Sequence, residues 1–138
     1  MTCTSNKTVV VRFIRDVLNK GGHRAPSELV AADHALHSLQ GDLYGPEGLR
    51  IAVTEYRTGF PDLVVDVEEI MADGDWVARR FTLRGTHTGR FRGMPGSGRC
   101  IAAQGIGIDR FANGRLAESW VSLDAVGMMR QMGWVGRW

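Results

Sequence analysis

The sequence predicts an α+β domain in which helices come first and a mostly antiparallel sheet follows. Three observations carry this. Apolar residues recur at helical spacing through the first 60 residues. From residue 63 the period shortens to that of strands, with turn signals at Ala72-Asp73-Gly74-Asp75 and Asn113-Gly114. Helices and strands do not alternate as they must in a parallel α/β sheet.

Residues 7–20 carry Val10, Phe13, Ile14, Val17 and Leu18 on one helical stripe, and Gly21-Gly22 ends the run. Pro26 suits the first turn of a second short helix through Leu29, Val30 and Ala31. Pro46 opens a third, with Leu49, Ala52, Val53 and Tyr56 on its core face and Phe60-Pro61 at its end. Four strands follow: LVVDVEEI from Leu63, WVARRFTLRGTH from Trp76, CIAAQGIGIDRF from Cys100 and RLAESWVSLD from Arg115. Thr88 to Gly98, rich in glycine and holding Pro95, is a loop or wide hairpin between the second and third. Asn113-Gly114 is a tight hairpin turn. Ala125 to Gly133 is a closing helix with Val126, Met129 and Met132 on its apolar face. A curved four-stranded sheet set against three helices encloses an apolar interior, a natural small-molecule pocket.

The 138 residues are expected to form one domain, 1–138. No apolar run approaches the ~18 residues of a membrane span, and the first residues lack the apolar core of a secretory signal. Net charge is +2, and all basic residues except Lys7 and Lys20 are arginines. They are spread along the chain among 15 acids. The one local concentration, Arg84, Arg90, Arg92 and Arg99, has no aromatic ladder beside it, so nucleic acid is not an expected partner. Cys3 and Cys100 are read as free thiols of a reducing cytoplasm, the expected location.

No phosphate-cradling loop, dinucleotide fingerprint or nucleophile elbow is present. Gly105-x-Gly107 lies inside a strand, where glycine marks a bulge or a close backbone approach. His34 and His37, on or just after a helix, lack a convincing third metal ligand, since His23 is in a loop, and no metal is expected. His87, at a strand end in Gly85-Thr86-His87-Thr88-Gly89, is a hydrogen-bonding corner or a general base. Asp124, between the last strand and the last helix, is an N-cap or a catalytic acid. Glu118, Trp120, Ser122 and Asp124 share one strand face, and Ser119, Val121 and Leu123 the other.

Several strings now stand in order: His37…Gly45-Pro46-Glu47-Gly48-Leu49, Tyr56-Arg57-x-x-Phe60-Pro61-Asp62-Leu63, Gly74-Asp75-x-Val77, Gly85-Thr86-His87-Thr88-Gly89, Phe91-x-Gly93-x-Pro95, Arg110-Phe111-x-x-Gly114, Glu118-x-Trp120-x-x-x-Asp124 and Gln131-x-Gly133. Together, over roughly residues 25 to 133, they resemble the SnoaL-like polyketide cyclase family. The resemblance implies the nuclear-transport-factor-like α+β barrel and, for the cyclases, a cofactor-free intramolecular aldol closure of anthracycline precursors. It implies as acid/base an Asp just after the Trp of a Glu-His-Trp-Asp string, helped by that His. Here the string reads Glu118-Ser119-Trp120-Val121, so the acid/base positions hold Ser119 and Val121. Valine moves no proton, and a serine hydroxyl is a poor base without an activating partner.

The resemblance extends to sister proteins linked to anthracycline hydroxylation, and loss of the aldol acid/base is expected of such a protein. The expected function is therefore cofactor-independent assistance to ring hydroxylation of an aromatic polyketide. Molecular oxygen and an external reductant are co-reactants, no cofactor is tightly bound, and a partner reductase is allowed for. The alternatives are an aldol cyclase using Asp109, His37 or Asp124, and a non-catalytic binder or scaffold. Candidate catalytic groups are Arg79, Arg80, Gln104, Asp109 and His37. Only one of Arg79 and Arg80 can face the pocket, since adjacent strand residues point oppositely. Candidate pocket residues are Phe13, Tyr56, Phe60, Trp76, Ser119, Trp120, Val121, Asp124 and Met128. A homodimer through an exposed sheet face is expected from the fold the resemblance implies.

Overall fold

The computed structural model describes residues 3–19 and 29–133 of the chain. Helix α1 (Cys3–Phe13) continues into a π-helical run, Ile14–Asn19. Strands β1 (Val30–Ser38) and β2 (Gly41–Tyr44) form a hairpin that leads into helix α2 (Gly45–Gly59). Then come β3 (Val64–Asp73), β4 (Trp76–Thr86), β5 (Cys100–Ala112), β6 (Arg115–Leu123) and helix α3 (Ala125–Gln131).

The strands make one mixed sheet in the order β2-β1-β6-β5-β4-β3. Every pairing is antiparallel except β1 with β6. The fold class is α+β, as the sequence predicts. The sheet has six strands rather than four, and it is open, with β2 and β3 as its edges, rather than closed into a barrel. The difference lies in residues 29–44, where helical spacing of Leu29, Val30 and Ala31 predicts a second helix. Val30 instead opens β1; Pro26, its expected first turn, lies outside the described residues. Burial in β1 alternates from His34 to Ser38, but the inward set is His34, Leu36 and Ser38. Two of those three are polar, so hydrophobic periodicity gives no strand signal there.

The inner face of the sheet carries the core. On β4 and β5 the inward residues are Val77, Arg79, Phe81 and Leu83, and Ile101, Ala103, Gly105, Gly107, Asp109 and Phe111. Val10 and Phe13 of α1, Ile14 and Val17 of the π-helical run, and Leu49, Ala52 and Val53 of α2 complete it. Met132, at the end of α3, is buried as expected, but Met128 of α3 is buried beside it and Val126 faces solvent. Among the described residues no helix is long and apolar enough to cross a membrane.

Two polar clamps fix the helical wall. Arg57 donates to the carbonyls of Leu18, Asn19, Leu63 and Pro61, tying the end of the π-helical run to the end of α2. Asn19 pairs both ways with the Val65 backbone, donating to its carbonyl at 3.1 Å and accepting from its N–H at 2.6 Å. His87 organises the 88–99 loop. Its backbone pairs with Arg99 and Gly98, and its Nδ1 accepts from the Ser97 N–H. Its ring packs on Phe60.

Candidate active site

Between the inner face and the helical wall lies a cavity of about 110 Å³. Phe13 and Leu18 close it from the N-terminal helical segment, and Leu49, Ala52, Val53 and Tyr56 from α2. Leu36, Ser38, Val65, Phe81, Leu83, Val121 and Leu123 supply its sheet side. The lining is apolar except for Ser38, Gln40, Tyr56, Arg79 and Ser119.

Arg79 brings the one charged side chain to this lining among the described residues. The register of β4 on β5 explains how. Arg79 sits opposite Gly107, and Val77 opposite Asp109. The arginine therefore lies across a residue with no side chain to reach a carboxylate one step further along β5. A Cβ at Gly107 would stand 2.8 Å from the Arg79 Cζ, so the glycine makes room for the guanidinium. Nε donates to Asp109 Oδ2 at 2.8 Å and Nη2 to Oδ1 at 3.2 Å. The guanidinium carbon also stands 5.4 Å from the centre of the Phe81 ring, a cation–π distance.

The pair continues across the sheet. Ser119 Oγ donates to Asp109 Oδ1 at 2.8 Å. With its proton spent there, Ser119 accepts from His34 Nε2, 3.2 Å away. Four consecutive strands thus contribute one residue each: His34 from β1, Ser119 from β6, Asp109 from β5 and Arg79 from β4. All four are buried. Burial lowers the His34 pKa to about 4, against a smaller opposing pull from the Asp109 charge, so the imidazole is neutral near pH 7. Its Nδ1 is buried without a partner among the described residues. Tyr56 is pushed up to about 12, chiefly by burial, and keeps its proton.

Five of the residues expected at the pocket line this cavity: Phe13, Tyr56, Ser119, Val121 and Arg79. Asp109 stands directly behind Arg79 rather than in the lining. The others are elsewhere, mostly because of strand parity. Arg80, Gln104, Trp76, Trp120 and His37 point to the outer face. Arg80 there pairs with Glu69, and Trp120 stacks between Trp76 and His37. Asp124 caps α3 by accepting from the Gly127 N–H at 2.9 Å. Phe60 packs on His87 and Phe91, and Met128 is fully buried in the core away from the lining.

His34 and His37, three apart on a strand rather than a helix, lie on opposite faces, so they cannot share a metal. Among the described residues no three His, Cys, Asp or Glu side chains converge as ligands. Sequence reasoning left out His34 as a partner of the site, and Leu36, Ser38 and Gln40 as lining. The signal that finds three of them is the i, i+2, i+4 series His34, Leu36, Ser38, legible once 30–38 is taken as a strand.

A second charged chain crosses the outer face. His37 Nδ1 meets Asp42 Oδ1 at 2.8 Å and its Nε2 meets Glu118 Oε2 at 2.7 Å. Arg110 Nη2 donates to the other Glu118 oxygen at 3.1 Å. Carboxylates on both ring nitrogens favour the protonated ring, which can donate to each. The bonds to Asp42 and Glu118 raise its pKa accordingly.

Residues 8–132 match the model of the SnoaL-like polyketide cyclase family. The chain is 33% identical over 94 residues to the aklanonic acid methyl ester cyclase DnrD of Streptomyces peucetius, a match covering 67% of this chain and 64% of that one. It thus spans somewhat less than two thirds of that relative. The structure of IdmH from Streptomyces antibioticus, a candidate polyketide cyclase, is similar at 30% identity and a TM-score of 0.80, covering 93% of this chain and 98% of that one. AclR from Streptomyces galilaeus, a candidate hydroxylase, shares the fold at 21% identity and a TM-score of 0.85, covering 99% and 89%.

Proposed function

This chain belongs to the SnoaL-like polyketide cyclase family, and on that premise we propose that it is a tailoring enzyme of anthracycline-type polyketide biosynthesis that assists ring hydroxylation without a tightly bound cofactor. The observation that carries this reading is the inner face of β6. The residues at the two positions where the cyclases' acid/base pair is implied, Ser119 and Val121, both line the cavity, and neither moves a proton unaided. The ionisable groups nearby do not replace them. Tyr56 holds its proton, His34 is sealed behind Ser119, and Asp109 is committed to Arg79. What the cavity offers is orientation, exclusion of water and a guanidinium.

Such a site suits a substrate that supplies its own reactivity. An electron-rich dihydroquinone or anthrone, held as its phenolate, reacts with molecular oxygen at carbon. The balance is substrate C–H, O₂, two electrons and two protons going to C–OH and water, with the electrons drawn from an external reductant through a partner reductase. The uncovered outer face, where Trp76, Ile106, Ile108 and Trp120 are exposed, is the face we assign to a homodimer.

A second reading, aldol cyclisation, is favoured by the 33% identity to DnrD. Of its acceptors, His37 lies on the outer face and Asp124 is spent on capping, which leaves Asp109. The test is product mass after incubation with an anthracycline-type precursor, with and without a reductase. A gain of one oxygen supports hydroxylation. An isomer of unchanged mass with a new ring moves the assignment to the cyclase, and substrate bound but returned unchanged moves it to a binder.

A further inference from the structure

The guanidinium of Arg79 is held more elaborately than packing requires. Two of its three nitrogens are committed to Asp109, whose oxygens accept from Arg79 Nε, Arg79 Nη2 and Ser119 Oγ. Ser119 in turn is fixed by His34. Nη1 has no acceptor among the described residues, and the side chain lines the cavity. Every other polar group in the lining among the described residues (Ser38, Gln40, Tyr56, Ser119) is neutral.

We propose that Arg79 is the specificity determinant of the cavity: its Nη1 takes an acidic ligand oxygen, a phenol or enol beside a carbonyl, in ionised form, while Asp109, Ser119 and His34 are positioning residues that aim the guanidinium. This rests on reading the cavity as an aromatic polyketide site, but its test is binding rather than turnover.

The physical argument is one of differential affinity. Guanidinium nitrogens only donate. A neutral phenol offers Nη1 only a lone pair, whereas an ionised one adds a full opposite charge to that bond. Apolar walls raise the value of that difference. Asp109 acts in the opposite sense. It keeps the empty cavity neutral, so no unpaired cation is buried, and its negative charge partly offsets the attraction for an incoming anion. Removing the arginine charge and removing the aspartate charge must therefore shift a bound phenol's ionisation in opposite directions. An ion pair out of hydrogen-bond reach of the ligand predicts opposite shifts of similar size that cancel in the double variant. The other groups around the pair are Tyr56 from α2 and His34 from β1. Glu118, His37 and Asp33 act on His34 through space.

The probe is quinizarin, a dihydroxyanthraquinone whose visible band moves to the red on ionisation. It is titrated with pH on wild-type protein, Arg79→Gln, Asp109→Asn and the double variant Arg79→Met/Asp109→Leu. The double variant removes both charges together, a change that buried pairs often tolerate, and it carries the test if a single variant fails to fold. The ionisation midpoint of the bound probe is expected to rise by about one pH unit or more in Arg79→Gln, and to fall below wild type in Asp109→Asn. The double variant, which loses both opposing charges, should lie above wild type but below Arg79→Gln. Ser119→Ala should weaken binding by about fivefold, the worth of one hydrogen bond, and Ser119→Thr should restore it.

Equal midpoints in wild type and in whichever Arg79 variants fold overturn the proposal, as does failure of wild-type protein to bind the probe. A shifted midpoint with no oxygenated product in the mass assay leaves Arg79 as the anchor and removes the hydroxylation reading. An oxygenated product with unshifted midpoints does the reverse.

Discussion

The two faces of the sheet carry nearly the same device in opposite surroundings. On the inner face His34, Ser119, Asp109 and Arg79 cross β1, β6, β5 and β4. On the outer face Asp42, His37, Glu118 and Arg110 cross β2, β1, β6 and β5. Each chain runs through a histidine of β1 and ends on an arginine. The inner pair is sealed, with side-chain exposures of 7% for Arg79 and 1% for Asp109. The outer chain is open, with 59% for Asp42 and 38% for Arg110. One residue of strand parity separates Ser119 from Glu118, and it decides whether a charge is costly to disturb or almost free.

The largest effect is expected where the inner chain is cut on one side. Asp109→Ala leaves a buried guanidinium without its counter-charge and should cost about 3–5 kcal/mol in denaturant unfolding. Arg79→Met/Asp109→Leu removes both charges and should stay close to wild type. If Asp109→Ala costs less than about 1 kcal/mol, the inner chain is no different from the outer one and the comparison collapses.

The two histidines sharpen the comparison through pH. His34 is depressed to about 4 in the folded protein. The unfolded chain therefore takes up a proton first, and stability falls as pH drops from about 6.5 through 4. At one pH unit per ~1.4 kcal/mol, this amounts to about 3 kcal/mol at the acid limit. His37 is raised, so its contribution is full below about pH 6.5 and is lost as pH climbs through its folded value. Unfolding curves against pH for wild type, His34→Gln and His37→Gln check the signs. The first variant should flatten the acid limb and the second the limb that begins above about pH 6.5. The same limb flattened by both would show that face does not control the sign.

Parity also explains how far the sequence could be read. The long strands from residue 63 onward announce themselves as strand-length runs rich in apolar residues and bounded by turn signals at Ala72-Asp73-Gly74-Asp75 and Asn113-Gly114. Ser119 and Val121 are legible as inward once β6 is placed. Arg79 and Arg80 are not separable from sequence, since each has an acidic partner within reach and only the register settles which one turns in. Asp109 and Gln104 are five apart on one strand, so an unbroken alternation allows only one of them inside. The same rule separates Trp120 from Ser119. Strand β1 was hidden for a different reason: a polar relay occupies its inward face, and apolar periodicity is blind to buried polar groups that are paired.

A smaller effect is expected where the inner chain meets the backbone. Gly107→Ala places a methyl group 2.8 Å from the Arg79 Cζ, in the space the guanidinium occupies. Were Arg79 free it would swing aside, but its bidentate bond to Asp109 holds it. Overpacking of this kind costs about 1–3 kcal/mol, and displacement of the guanidinium should weaken quinizarin binding in parallel. Stability lost without any change in probe binding would mean that the glycine serves the strand and not the arginine.

The smallest effect is expected one residue away, on the other face. Arg80 donates to Glu69 through Nε at 2.9 Å, directly across the β3–β4 ladder, a single bond nearly as short as that of Arg79 Nε to Asp109. Both side chains are exposed, 45% and 63%. Water solvates each charge when the other is removed, and salt screens what attraction remains. Arg80→Ala should therefore change unfolding free energy by no more than about 1 kcal/mol, and by less as salt is raised. It should leave the probe's ionisation midpoint where wild type has it. A cost near that of Asp109→Ala would mean that Arg80 is covered in solution, which is what the proposed packing of two outer faces against each other would do. Repeating the measurement across protein concentration separates that case, because only a dimer's stability depends on it.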